Sequence, residues 1–222
     1  ALAGTVPAFA HHSLLTGPKG EALSKRLGTL ALRDLREAGI EPIALLSMMA
    51  RLGSSDPIEV RSSVDELFDN FDLSAFGAAP TKFDVEDLKP LTAKAISALN
   101  IEDVSSTLSN LGVPADIESA FWNIVKDNIA TRSEIAKWWA LCRDGATPLI
   151  ADEDAEFVDA AKGLLPDSPW SDQSWAAWTA AVKEATGRKG RRLFMPLRKA
   201  LTGMESGPDM SKLMPLLQKI NL

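Results

Sequence analysis

SDQSWAAWTAAVKEATG, residues 171–187, reads as consecutive turns of helix. Trp175, Trp178 and Val182 fall at i, i+3 and i+7, one face of a 3.6-residue period, and Gly187 supplies the stop. That spacing puts large apolar side chains into a helix-packed core, with stacking of tryptophan on nucleic-acid bases as the alternative reading. The same period recurs along the chain. TLALRDLREAGI carries Leu30, Leu32 and Leu35 and stops at Gly39, while PIALLSMMARLG opens on Pro42 and stops at Gly53. Ser63 followed by Glu66 forms a capping box. Helices are also expected in DVEDLKPLTAKAISAL, NIEDVSSTLSNLG, ADIESAFWNIVKDNIA and RSEIAKWWALCRDG, then in DEDAEFVDAAKGLL, PLRKALTG and MSKLMPLLQKI. The two-residue alternation of strands is almost absent, apart from a short strand near HHSLLTG. The chain is predicted to be all-α with an irregular head, jointed at Gly77 and Pro80 and again at Pro166 and Pro169.

With 222 residues, 45% of them hydrophobic, the chain is long enough to bury a core. No apolar run approaches the roughly 18 residues needed to cross a bilayer, and the first residues lack the pattern of a secretory signal. A soluble protein is expected. Cys142 is the only cysteine, which excludes an internal disulfide and a cysteine-built zinc site and fits a reducing, cytoplasmic setting. The net charge of −6 is unevenly spread. Between Lys183 and Leu222, nine basic residues face three acidic ones, leaving +6 there and −12 in the remainder. A basic end on an acidic body orients the approach of a polyanion. A solvated basic helix face is the alternative.

Common catalytic motifs are missing: there is no GxxxxGK[ST], GxSxG, HExxH or Rossmann glycine fingerprint. His11 and His12 are the only histidines, and neighbours on an extended segment point opposite ways. No metal site is expected. The sharpest chemical feature is GPKGEALSKRLG, residues 17–28, where a strand and a glycine-rich tip lead into Ser24, Lys25 and Arg26. A hydroxyl and two adjacent cations suit phosphate oxygens.

The run FAHHSLLTGPKGEALSKRLGTLALRDLREAGIEPIALLSMMARLG resembles bacterial glutamyl-tRNA synthetases from their signature lysine loop onward, with Ala22, Leu23, Ser24, Lys25 and Arg26 in place of Lys-Leu-Ser-Lys-Arg. His11 matches a histidine that the family commonly places before this loop. The resemblance continues through KFDVEDLKPL and returns in GRKGRRLFMPLRKALTGMESGPDMSKLMPLLQKI, similar to the family's PLR.ALTG segment. It implies a catalytic remnant over 1–30, a stem-contact helical region over 31–80, and a two-part helical anticodon-binding domain over 81–166 and 167–222.

By that resemblance Lys25 is the catalytic cation. It stabilises ATP phosphates as pyrophosphate departs during glutamyl-adenylate formation, with Ser24 and Arg26 assisting and Gly17, Gly20 and Gly28 letting the loop close. Ala22 removes the loop's first lysine. No HIGH-type motif, glutamate site or acceptor-stem insertion precedes Ala1, so the chain is expected to be a C-terminal fragment unable to activate glutamate alone. ATP and Mg2+ are cofactors of the parent enzyme, and the fragment is not expected to hold them tightly. The partners implied are tRNA for glutamate, with tRNA for glutamine left open, and the N-terminal catalytic half; a monomer is expected. Arg198 matches the family's anticodon-stacking arginine, and SGPDM matches its anticodon-reading loop through Gly207, Pro208 and Met210. Arg188, Lys189, Arg191 and Arg192 follow the helix stop at Gly187 and are expected on a loop, against the RNA backbone. A stand-alone tRNA-binding module, or a helical interaction protein without aminoacylation activity, are the alternatives.

Overall fold

The computed structural model describes residues 4, 7, 9–23, 31–69 and 71–222. The Ser24-Lys25-Arg26 triplet lies outside them. Among the described residues helix makes up 53% and strand 3%, so the fold is all-α as the periodicity predicts. It forms two compact units, Ala1–Ala98 and Leu99–Leu222.

In the first unit, β1 (Leu15–Thr16), predicted near HHSLLTG, runs parallel to β2 (Thr81–Lys82), with Leu15 opposite Thr81 and Thr16 opposite Lys82. The pairing delivers Phe83 to the core: its N–H donates to the Thr16 carbonyl at 2.8 Å and its ring is buried. Around it lie α1 (Leu32–Glu37), α2 (Pro42–Met49), α3 (Val64–Asp69) and α4 (Leu88–Ser97). Leu35, Ala44, Met48, Leu88, Leu91 and Ala95 join Phe83 in one apolar core. The cap before α3 differs in detail from the expected box. Ser63 Oγ accepts the Glu66 N–H, but the Glu66 carboxylate turns to Ser62, whose hydroxyl and N–H both donate to it. Those bonds, the hydroxyl's foremost, hold the Glu66 carboxyl below its ordinary range.

The second unit holds α5 (Ser105–Asn110), α6 (Glu118–Val125), α7 (Glu134–Asp144), α8 (Ala155–Lys162), α9 (Ser174–Thr186), α10 (Arg191–Thr202) and α11 (Met210–Leu213). α10 packs on α8 and α9, while α11 packs on α6 and α9. Phe121, Trp122, Ile135, Trp139, Trp178, Val182, Leu193, Leu197 and Leu213 are buried among them. The Trp178 indole, 1% exposed, donates to the Ala161 carbonyl at 2.8 Å, as a buried indole N–H requires. Trp178 and Val182 thus take the core role their spacing predicts, whereas Trp175 stays half-buried.

Among the described residues no helix is long and apolar enough to cross a membrane, and no group of three His, Cys, Asp or Glu could hold a metal ion.

Cys142 sits in the interior of α7, and burial pushes its thiol up to about 12 from 9.0. The native state keeps the proton while the unfolded state ionises, so the stabilisation is complete below pH 9 and is lost as pH rises from 9 towards 12. The slope is roughly 1.4 kcal/mol per pH unit. Urea midpoints at pH 8 and 10 should therefore differ more for the natural chain than for Cys142→Ala. No tyrosine is present to titrate in the same window. Equal pH slopes in the two proteins would count against the buried thiol.

Candidate nucleic-acid interface

Gly187, at φ +69° in the left-handed region, ends α9 and turns the chain into a short basic loop. From that loop Arg188 reaches back 34 residues to the Asp154 carboxylate, and its guanidinium lies 4.0 Å over the centroid of the Phe157 ring. Its charge is met within the protein. Lys189 stands exposed beside it.

Arg191 and Arg192, expected on the loop, instead open α10, and both are exposed. The helix expected to begin at Pro196 begins five residues earlier. Pro196 lies inside it, and its missing N–H leaves one rung of the helix unmade. The Arg192 carbonyl that would have accepted that rung is approached by Arg188 Nη1 at 3.4 Å. Arg188, Arg191, Arg192 and Lys199 line one cleft with Glu153 and Asp154.

Arg198, on one face of α10 with Arg191, lines a separate cleft. Its Nη2 donates to the Pro208 carbonyl at 2.8 Å, pinning the loop that precedes α11. Burial lowers the Arg198 pKa, and the nearby Asp209 carboxylate acts the other way. Nη1 is buried with no acceptor among the described residues. Gly207 passes next to it at φ +146°. A Cβ there would stand 3.0 Å from the Trp138 ring and 3.3 Å from Arg198 Nη1, so both conformation and space call for glycine. Asp209 then caps α11: one carboxylate oxygen accepts the Ser211 hydroxyl and N–H, each at 2.8 Å. These bonds, the hydroxyl's first, hold the Asp209 carboxyl below its usual range.

Arg198, Gly207 and Met210 share a cleft of about 410 Å³ with Arg191, Phe194, Trp175 and Asp209. Met210 is only 2% exposed, so it serves as floor, and Pro208 is buried, its carbonyl already taken by Arg198. Gly207 also borders a second cleft, about 580 Å³, lined by Asn128, Glu134, Lys137 and Trp138. The structure therefore brings Arg191, Arg198, Gly207 and Met210 together and sets Arg188 and Arg192 in the neighbouring cleft. Phe194, Trp138 and Trp175 were not among the site residues expected from the sequence. Arg191, Phe194, Met195 and Arg198, spaced i, i+3, i+4 and i+7, are the signal that could have found the first of them.

A family model described as an anticodon binding domain matches residues 85–221, so the chain belongs to that family. It is 65% identical over 214 residues to a glutamate–tRNA ligase 2 of Ruegeria sp. (strain TM1040), covering 96% of this chain and 48% of the relative. A glutamate–tRNA ligase 2 of Jannaschia sp. (strain CCS1) is 65% identical over 218 residues, covering 98% and 49%. The chain thus spans about half the length of the curated relatives it matches. The glutamate-tRNA synthetase structure from Elizabethkingia anophelis shares the fold, with a TM-score of 0.69 at 22% identity over 96% of this chain and 49% of that one.

Proposed function

We propose that this chain is the anticodon-reading half of a glutamate–tRNA ligase, which joins glutamate to tRNA through an adenylate made with ATP. The reading is supported above all by Arg198, which reaches from α10 to the loop at Gly207 and Pro208 and lines a cleft inside the family-matched residues. Arg198 and the loop contact anticodon bases. Lys189, Arg191 and Arg192 meet the RNA backbone, while Arg188, already bonded to Asp154, fixes the basic loop. Residues 1–30 are the catalytic remnant and 31–80 the stem-contact region. Residues 81–166 and 167–222 are the two parts of the anticodon domain. The ATP role of Ser24, Lys25 and Arg26 rests on the sequence resemblance alone. The chain by itself binds tRNA and leaves glutamate activation to the other half of the ligase.

The test is a titration of the chain with tRNA for glutamate and with the same RNA changed at the last anticodon base, across a salt series. Affinity should fall with the base change and with salt. Indistinguishable binding of the two RNAs, or none, would remove the proposal. Arg192→Ala should reduce the slope of log affinity against log salt by about one, with the same loss on both RNAs. An unchanged slope would take Arg192 out of the backbone contacts.

A further inference from the structure

We propose that Trp175 and Phe194 form a stacking shelf that receives one unpaired base of the bound RNA, an inference that rests on the anticodon-reading function proposed above. Four side chains on one face of α10 carry it. Arg191, Phe194, Met195 and Arg198 follow each other at helical spacing, so two cations bracket a ring and a thioether along the wall of one cleft. Phe194 is 45% exposed. The core-facing side of the same helix is formed by Leu193, Pro196, Leu197, Ala200 and Leu201, all buried, so Phe194 is not a displaced core residue.

Trp175 completes the shelf from α9. Its ring centroid lies 6.4 Å from that of Phe194, with the planes 37° apart. It also meets Trp178 edge to face, at 5.8 Å and 68°. Because Trp178 is locked in the core by packing and by its bond to Ala161, the shelf has a rigid back.

The occupant follows from the chemistry of the rim. An apolar shelf alone would fit many partners, but this one lies between the guanidinium groups of Arg191 and Arg198, which suits a ring flanked by phosphates. Every base offers a π face, so stacking adds affinity without reading sequence. Sequence selection then falls to the hydrogen-bonding groups beside the shelf, at Arg198 and the Gly207 loop. The cleft, about 410 Å³, is within the size range of small-ligand sites.

The experiment uses the full chain and RNA hairpins with a seven-nucleotide loop, either intact or carrying one abasic position at a time. Phe194→Ala should weaken the intact hairpin about ten- to a hundredfold. Phe194→Leu, which keeps apolar bulk on a half-exposed site, should lose nearly as much, and Phe194→Trp should restore binding. At one loop position the abasic change should weaken the natural chain but add nothing to Phe194→Ala, the non-additivity of two partners in contact. The salt slope should stay unchanged throughout. If the natural chain discriminates the anticodon yet Phe194→Ala and Phe194→Leu bind as tightly as it does, or no abasic position couples to Phe194, the shelf is refuted and the anticodon reading survives. If the natural chain shows no anticodon preference, the underlying reading fails and the shelf with it.

Discussion

Arg198→Ala is expected to lower affinity for the matching anticodon ten- to a hundredfold while barely changing affinity for an RNA altered at the base it contacts. Two losses add. The proposed guanidinium contact with the base disappears, and a hydrogen bond from a charged donor is worth roughly 1.5–3 kcal/mol. The Gly207 segment also loses the partner that holds it beside Trp138, so the reading edge of the cleft is no longer preset. Lysine should not rescue it. A single ammonium keeps the charge but cannot hold a carbonyl with one nitrogen and present a second, coplanar one to a ligand. Arg198→Lys should therefore resemble Arg198→Ala in discrimination while keeping the natural salt slope. The measurement is the ratio of dissociation constants for matched and altered hairpins. Equal loss on both would make Arg198 a general electrostatic contact.

The largest effect on folding is expected at Trp178. Its side chain is 1% exposed, supports Trp175 and bonds to the last turn of α8. Trp178→Ala should cost about 3–5 kcal/mol, from lost transfer energy and the cavity left behind. Domains are held by only about 5–15 kcal/mol, so the variant should unfold at a much lower urea concentration, followed by far-ultraviolet circular dichroism. Trp178→Phe should cost less, because much of the volume remains. A loss below about 1 kcal/mol for the alanine variant would contradict the core assignment. The shelf makes a linked expectation: Trp178→Phe, still folded, should weaken RNA binding through its neighbour Trp175.

Local signals were legible in the sequence because their causes are local. Gly187 ends α9 within the residues that announce it, and Ser63 and Glu66 share one turn. The helical period placed Trp178 and Val182 in the core, since burial of one helix face is what that period encodes. What the sequence concealed depends on partners far along the chain. Arg188 reads as one more cation in a basic run until Asp154 and Phe157 are seen to hold it. Trp175 shares its spacing with Trp178, yet which edge of a helical face meets the cleft is settled by α10, not by α9 itself. Pro196 misleads for a different reason. Proline usually opens or breaks helices, and its place inside α10 became readable only with the Arg192 carbonyl and its approaching guanidinium in view.

α10 spends its faces on different tasks, with Leu193, Leu197 and Leu201 turned to the core, Phe194 and Arg198 to one cleft, and Arg192 and Lys199 to another. Each residue advances a helix by about 100°. Gaining or losing a single codon between Gly190 and Arg198 would therefore rotate one part of the helix against the rest, driving a cation towards the interior and a leucine towards solvent. Substitution can tune this segment one position at a time, but a change in its length would disturb packing and both clefts at once.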